Sequence, residues 1–143
     1  MTRPLEGIKV VEFGQNLAGP YCGQILAFLG ADVVKVERPE GDDARKWGPP
    51  FLEGDALGFI ALNRGKKSIT CDLADETERE ALIERIGAAD VFVHNLRAVV
   101  PAKFGIDGPT LTKRFPRLIY ADLGAFGHVG PWKERPGYEP IIQ

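Results

Sequence analysis

The amino-acid sequence predicts an α/β domain, with an open and mostly parallel sheet flanked by helices. Short apolar runs rich in β-branched residues alternate along the chain with segments whose apolar residues recur at helical spacing. The connection between the first two runs is short and holds one helix, and a crossover of this kind joins parallel strands. The 143 residues, 44% of them hydrophobic, are enough for one compact domain with a sizeable core.

The first strand–helix–strand unit is marked by its end residues. Residues 8–13 (IKVVEF) and 31–37 (ADVVKVE) have the composition of two strands. Pro20 suits the first turn of the helix between them, and Gly30 is typical of a residue that ends a helix. These residues predict one helix between two parallel strands.

The alternation continues through the rest of the chain. The later predicted strands are 68–73 (SITCDL), 91–95 (VFVHN) and 117–123 (RLIYADL). Asp75 followed by Glu78 is typical of a capped helix start, and 109–115 is a predicted short helix. Two segments rich in glycine and proline, 39–57 and 124–140, are predicted loops, and a loop as long as the first is usually functional or mobile.

Charge and cysteine content exclude several classes of protein. The 18 Lys and Arg against 20 Asp and Glu give a net charge of −2, without the basic surface of a nucleic-acid-binding protein. Two cysteines and two histidines, without metal-type spacing, predict neither a disulfide framework nor a metal site. No run approaches the ~20 apolar residues of a membrane span, and the start lacks a signal-peptide core, so a cytoplasmic protein is expected. The apolar end, GYEPIIQ, indicates a fragment of a longer protein.

Residues 13–23 (FGQNLAGPYCG) form a glycine-punctuated turn from strand into helix, a common place to hold a phosphate. One interpretation is a dinucleotide-binding domain, as in nicotinamide-dependent dehydrogenases, with Glu37 holding a ribose hydroxyl. However, the three glycines are spaced five and four residues apart, unlike G-x-G-x-x-G, and Pro20 removes one N–H from the helix start. A P-loop is excluded because no G-K-[ST] follows. A purely structural helix start at Gly19, without a ligand, stays open as the alternative.

Polar groups follow three of the predicted strands. The turn at 13–19 follows the first strand, Arg38 follows the second, and Asn95 follows the fourth. Ligands of open α/β sheets bind beyond the carboxyl ends of the strands, so these groups are predicted to face one crevice.

Several segments resemble the family III CoA-transferases, the group that contains formyl-CoA transferase and carnitine CoA-transferase. They are PLEGIKVVEFGQNLAGPYCGQILAFLGADVVKVERPEGDDAR, LNRGKKSITCDL, ADVFVHNLRAVVPAKFGI and RLIYADLGAFGHVGPWKERPGYEPIIQ. The resemblance is collinear over essentially the whole chain. It implies that residues 1–143 are the Rossmann-like, CoA-binding N-terminal portion of a longer enzyme that forms interlocked homodimers.

The resemblance also implies where coenzyme A binds. The implied contacts are Leu17, Ala18, Arg38, Cys71, Asp72, Leu73, Asn95, Leu96, Arg97 and Lys103. Arg38 and Lys103 carry the charge that suits the 3′-phosphate and diphosphate of the coenzyme. Leu17 departs from the glutamine that formyl-CoA transferase has at this position. For residues 71–73, an ordinary strand end is the open alternative to a contact.

The chemistry implied by the resemblance uses an aspartate that lies downstream of Gln143. Its carboxylate attacks the thioester of an acyl-CoA, which gives a mixed anhydride and releases CoA as the thiolate. CoA is then rebuilt on the carboxylic acid acceptor. The substrates are therefore an acyl-CoA and a carboxylate, no metal is needed, and the 143-residue chain alone is expected to be inactive. A non-catalytic CoA-binding module is the alternative.

Two places near the implied acyl site have more than one interpretation. Related α-methylacyl-CoA racemases have Gly-His-Asp where this chain has Gly137, Tyr138 and Glu139, and a tyrosine is a poor proton shuttle near neutral pH. This disfavours a racemase, and Glu139 is either a supporting carboxylate of the active site or a loop residue. Trp47 and Phe51 either shield the acyl site or pack the long loop down, and packing is the prediction.

Overall fold

A computed structural model describes residues 3–127, 129–133, 135 and 137 of the chain. The strands are β1 (Lys9–Phe13), β2 (Asp32–Glu37), β3 (Phe51–Leu52), β4 (Asp55–Ala56), β5 (Lys67–Thr70), β6 (Val91–His94) and β7 (Ile119–Asp122). The helices are α1 (Ala18–Phe28), α2 (Leu57–Asn63), α3 (Glu76–Gly87), α4 (Val99–Phe104) and α5 (Gly108–Arg114), with a 3₁₀ turn at Asp43–Lys46.

Five strands form one parallel sheet in the order β5-β2-β1-β6-β7, and β3 pairs with β4 in a small antiparallel hairpin. The predicted α/β fold with an open, parallel sheet is confirmed. The chain first extends the sheet from β1 through β2 to β5 and then returns to build β6 and β7 on the other side of β1. The strand order therefore reverses between β1 and β6, which is where open α/β sheets bind their ligands.

Two apolar layers cover the two faces of the sheet. One face carries Val11, Phe13 and Phe92, packed against residues of α3 and α5 such as Ile86 and Leu111. The other carries a smaller cluster, formed by Val10, Val33, Val93 and Ala31 with partly buried residues of α1. Because strands covered on both faces read as continuous apolar runs, their composition identified them in the sequence.

The predicted helix boundaries hold where specific residues define them. Helix α1 begins at Ala18, so Pro20 lies in its first turn, and Gly30 follows its end with a φ of +107°. Asp75 caps α3, and its side chain accepts a hydrogen bond from Glu78 N at 2.9 Å. These short-range signals were sufficient because each fixes the local main chain.

Three predictions about local structure were incomplete or wrong. The predicted loop 39–57 contains the 3₁₀ turn and the β3–β4 hairpin, and α2 and α4 were not predicted. The sequence did not predict helix α4, because the helix is only six residues long and contains Pro101. Strand β5 ends at Thr70, before the predicted 71–73, because Asp72 Oδ1 accepts a hydrogen bond from Ala74 N at 2.8 Å and turns the chain toward α3.

Two aromatic side chains of the long loop are partly exposed. Trp47 is 57% exposed and Phe51 is 52% exposed. The Phe51 ring nevertheless contacts Gly48 of the same loop, where a Cβ atom would clash with Phe51 Cζ. That the two rings pack the loop down therefore stays a prediction. Within the described part of the chain, no helix combines the length and the apolar character that crossing a membrane requires.

Candidate functional site

The connection from β1 to α1, residues 14–17 (the β1–α1 turn), lies at the point where the strand order reverses. Asn95, directly after β6, contacts this turn with both ends of its side-chain amide. Its Oδ1 accepts a hydrogen bond from Gln15 N at 2.7 Å, and its Nδ2 donates to Gln15 O at 2.8 Å. The structure thus brings together the turn and Asn95, which the sequence had placed in one crevice.

Close approach of two glycines makes the turn compact. A Cβ atom on Gly19 would lie 2.6 Å from Gly14 Cα and 3.0 Å from Asn95 Oδ1. No side chain larger than glycine fits at Gly19 unless the main chain moves. The first turn of α1 therefore packs directly against the end of β1.

The outer tip of the turn faces solvent. Leu17, at the N-cap of α1, is 50% exposed and provides no side-chain hydrogen bond to the helix, and Ala18 is also exposed. On its inner side, Asn16 has a left-handed φ of 64°, and its N–H donates to Asp42 Oδ1 at 3.0 Å. The turn is thus fixed from both sides, by Asn95 and by Asp42, while its tip is accessible.

Arg38 lies directly after β2, in a shallow depression of about 310 Å³. The depression is lined by Glu37, Arg38, Pro39, Glu40, Gly41, Arg45, Ser68 and Thr70. The Arg38 side chain is 40% exposed and forms ion pairs with Asp43 and, at 3.9 Å, with Glu40. Its Nε also donates to Gly41 O at 3.0 Å. The cation is therefore at the surface and is held by groups of its own loop.

The neighbouring carboxylate of Glu37 has all of its acceptor positions occupied. Arg45 donates to its two oxygens at 2.7 and 2.8 Å, Ser68 Oγ donates at 2.6 Å, and Asp42 N donates at 3.1 Å. Burial raises the pKa of this carboxyl, but the hydrogen bonds outweigh burial and hold its pKa at about 2. Because a carboxylate has about four acceptor positions, none is left for a ribose hydroxyl. The dinucleotide-binding interpretation of Glu37 is therefore wrong.

The three residues after β5 differ in their exposure. The Cys71 thiol is buried in the core, within 3.7 Å of Glu78 O, and burial raises its pKa. Leu73 packs partly against the same core, whereas Asp72 is exposed. A ligand above this segment would therefore meet the Asp72 side chain, and the buried thiol would not reach it.

The segment after β6 contributes exposed cations. Arg97 is exposed, and Lys103 is exposed on α4 with its ammonium 5.0 Å from the centre of the Phe104 ring. Leu96 is partly buried, and its N–H donates to Nδ1 of the buried His94 at 3.3 Å. The ten implied contact residues thus follow three neighbouring strands, β1, β2 and β6, and the edge strand β5.

A group of buried charges below the β1–α1 turn was missed by sequence reasoning. Glu12 and Lys35 are cross-strand partners in β1 and β2, and Asp42 and Lys66 complete the group. The signal was present, because Glu12 and Lys35 interrupt the apolar runs VVEF and VVKVE. A charge inside a strand that is covered on both faces needs a buried partner.

Two predictions concern features that the described residues address only in part. Glu139 and Tyr138 lie outside the described residues. Within the described ranges, no group of three or more His, Cys, Asp or Glu is arranged to hold a metal ion.

Comparison with known proteins gives one family. The family model described as CoA-transferase family III matches residues 5–143. A succinate–glutarate CoA-transferase from Agrobacterium fabrum is 46% identical, over 98% of this chain and 37% of its own length. A succinyl-CoA:glutarate CoA-transferase from Mus musculus is 38% identical, over 97% of this chain and 32% of its own length.

Solved structures give the same picture. A CAIB/BAIF family protein from Brucella suis has a TM-score of 0.94 and 49% identity, covering 100% of this chain and 39% of that protein. Rv3272 from Mycobacterium tuberculosis has a TM-score of 0.86 and 43% identity, covering 95% of this chain and 38% of that protein. The chain therefore spans between 32% and 39% of the length of these relatives.

Proposed function

The chain belongs to CoA-transferase family III, and from this we propose that residues 1–143 form the N-terminal, CoA-binding portion of a longer CoA-transferase. The whole enzyme moves CoA from an acyl-CoA donor to a carboxylic acid acceptor. The observation that carries the proposal is the β1–α1 turn, which the Asn95 side chain holds at the reversal point of the parallel sheet. Open α/β sheets bind nucleotide-like ligands at this point.

The exposed cations are the proposed partners of the coenzyme phosphates. Exposed ion pairs such as those of Arg38 with Asp43 and Glu40 contribute only about 0–1 kcal/mol, so a ligand can replace them at little cost. A phosphate offers a bidentate, charge-assisted alternative to the same guanidinium. Arg97 and Lys103, after β6, lie on exposed surface and carry the same charge.

The remaining contacts are proposed to be made through main chain and apolar surface. Leu17 and Ala18 offer an exposed turn tip, and residues 71–73 offer the exposed Asp72 side chain. Asn95 and Leu96 support the opposite side of the crevice. The exposed turn tip at Leu17 and Ala18 is the proposed surface for the pantetheine arm of CoA.

The nucleophile is proposed to be an aspartate of the downstream part of the enzyme, which forms the acyl anhydride and releases CoA thiolate. Within the present chain, Glu139 is the proposed supporting carboxylate. In this proposal, residues 1–143 bind and orient the coenzyme, and the reaction takes place at the aspartate carboxylate of the downstream part.

The substrates are proposed to be short dicarboxylic acids and their CoA thioesters. The names of similar proteins include succinate and glutarate, malate, mesaconate and oxalate as CoA donors or acceptors. One relative is instead named as a probable fatty acyl-CoA transferase. A panel of acceptors from oxalate to glutarate, with a fatty acid as the control, separates the two substrate classes.

We also propose a cytoplasmic homodimer in which the chains interlock. The outer face of α1 supports a partner surface, because Tyr21, Ile25, Phe28 and Leu29 are each at least 40% exposed. Exposed apolar patches of this kind mark surfaces that another polypeptide covers.

Titration of CoA into the full-length enzyme tests the proposal directly. We expect Arg38→Ala to weaken CoA binding, whereas Arg114→Ala provides a matched control. Arg114 is 45% exposed and also forms ion pairs with two carboxylates, Glu80 and Glu84, but it lies on α5. No CoA binding by the unsubstituted enzyme, or equal weakening by both variants, contradicts the proposal. Transfer activity of the isolated chain would contradict the downstream location of the nucleophile.

A further inference from the structure

Four charged side chains lie buried together beneath the β1–α1 turn. Each of Glu12, Lys35, Asp42 and Lys66 is at most 1% exposed. The Lys66 ammonium lies 2.7 Å from Glu12 Oε2, and the Lys35 ammonium lies 3.4 Å from Glu12 Oε1 and 2.9 Å from Asp42 Oδ2. Two positive and two negative charges therefore balance one another inside the fold.

Every member of this group also holds main chain in or next to the turn. Glu12 Oε1 accepts from Gly14 N at 3.0 Å, and Lys35 Nζ donates to Gly14 O at 2.7 Å. Lys66 Nζ donates to Pro20 O at 2.7 Å, in the first turn of α1. Asp42 Oδ1 accepts from Asn16 N at 3.0 Å. The buried charges thus fix the main chain at the start of the turn, at Asn16 and in the first turn of the helix that follows.

Lys66 reaches the turn from a distant part of the sequence. It follows α2, and its ammonium contacts Glu12, Pro20 O and, at 2.8 Å, Asn63 Oδ1. An ammonium has three N–H donors, so these three acceptors satisfy it completely. The next residue, Lys67, forms only an exposed pair with Asp32 and is 68% exposed. Of these two adjacent lysines, only Lys66 enters the interior.

Stability alone does not account for such a group. Taking four charges out of water is costly, and replacing buried ion pairs with apolar residues is often neutral or stabilising. Burial lowers the pKa of Lys66 whereas Glu12 raises it, so the ammonium depends on its partner. The charged groups instead orient the main chain, because each of these hydrogen bonds fixes the direction of one peptide group in or next to the turn.

We propose that Lys66 is a positioning residue of the coenzyme site: through Glu12 and Pro20 it fixes the β1–α1 turn in the geometry that accepts CoA. The inference rests on the proposed function, because it gives a role only if this turn faces the coenzyme. It gives a role to the buried lysine of the segment NRGKK, which leads into the first residue of β5 and contains none of the ten implied contact residues.

Calorimetric titration of CoA into the full-length enzyme separates positioning from folding. Lys66→Met keeps an unbranched side chain of similar length and removes its charge, and Lys67→Met is the matched control. We expect Lys66→Met to raise the Kd for CoA by about tenfold to a hundredfold with unchanged stoichiometry, because a displaced turn misplaces every contact. Lys67→Met should leave the Kd unchanged. A role only in folding lowers the stoichiometry and leaves the Kd of the folded fraction as it was.

A double variant keeps the test valid if Lys66→Met fails to fold. Glu12→Gln combined with Lys66→Met removes one positive and one negative charge, so Lys35 and Asp42 still neutralise each other. We expect this variant to fold and to show the same raised Kd for CoA. A folded double variant that binds CoA as tightly as the unsubstituted enzyme overturns the inference. Failure of the unsubstituted enzyme to bind CoA is a different result, because it overturns the proposed function.

Discussion

The side-chain amide of Asn95 pairs with the main chain of Gln15 through one donated and one accepted hydrogen bond, of 2.8 and 2.7 Å. The two residues are 80 positions apart in sequence. The Asn95 amide bonds both the N–H and the C=O of Gln15, as the main chain of a neighbouring strand would. This pairing joins the loops that follow β1 and β6, the two strands between which the sheet order reverses. The candidate site is therefore built by one side chain that closes the gap between two strand ends.

Substitution of Asn95 is the first prediction. Asn95→Asp keeps an acceptor for Gln15 N but places a carboxylate oxygen against Gln15 O, where the amide now donates. We expect a loss of about 1–3 kcal/mol in the free energy of unfolding, together with weaker CoA binding. Urea unfolding and CoA titration of the full-length enzyme measure the two effects. Asn95→Ala, which removes both hydrogen bonds without adding repulsion, should be less damaging, and the reverse order would contradict the pairing.

The contact of Gly14 with Gly19 gives the second prediction. Gly19→Ala places a Cβ 2.6 Å from Gly14 Cα, so the turn must shift. We expect destabilisation of about 1–3 kcal/mol, as for other overpacked positions. Gly58→Ala is the control, because a Cβ there meets nothing within 4 Å and the residue lies in α2. It should be neutral or slightly stabilising in thermal unfolding, and equal melting temperatures for the two variants would argue against the tight approach.

The sequence predicted the features that short-range chemistry controls. Pro20, Gly30 and the Asp75–Glu78 cap each restrict a few neighbouring residues, and the helix ends lie where they indicate. The carboxyl edge of the sheet followed from the parallel topology alone. Asn95 could thus be assigned to the crevice before its partner was known.

What the sequence did not predict depends on how loops fold back onto the strands. Nothing near Lys66 shows that its ammonium is buried against Glu12, 54 positions away. Arg45, in the 3₁₀ turn after β2, occupies the carboxylate of Glu37 and excludes the ribose contact of the dinucleotide-binding interpretation. The first pairing forms when the segment after α2 reaches β1, and the second forms when the loop after β2 folds back onto the end of that strand.

The pH dependence of stability is the third prediction. The pKa of Glu37 falls from 4.5 to about 2 in the folded chain, so its ionised form stabilises the fold. A lowered carboxyl pKa contributes stability that is present above pH 4.5 and is lost as the pH falls toward 2. We expect a contribution of order 1–3 kcal/mol.

Comparison with Glu37→Gln isolates this contribution from those of the other carboxyl groups. Urea unfolding of both proteins between about pH 6 and about pH 2.5 gives the difference in free energy, because this range starts above the ordinary pKa of 4.5 and ends near the folded-state pKa of about 2. This difference should shrink as the pH falls. A difference that stays constant with pH would mean that Arg45 and Ser68 do not hold the carboxylate in its ionised form.

The apolar face of α1 gives the fourth prediction. Ile25 is 44% exposed and Phe28 is 64% exposed, on a helix that contains no charged residue. We expect the isolated 143-residue chain to self-associate through this face, and Ile25→Lys combined with Phe28→Lys to shift it toward monomer in size-exclusion chromatography. Val129→Lys is the control, because Val129 is 90% exposed and lies outside this face. A monomeric unsubstituted chain, or an equal effect of the control, would show that this surface does not need a polypeptide partner.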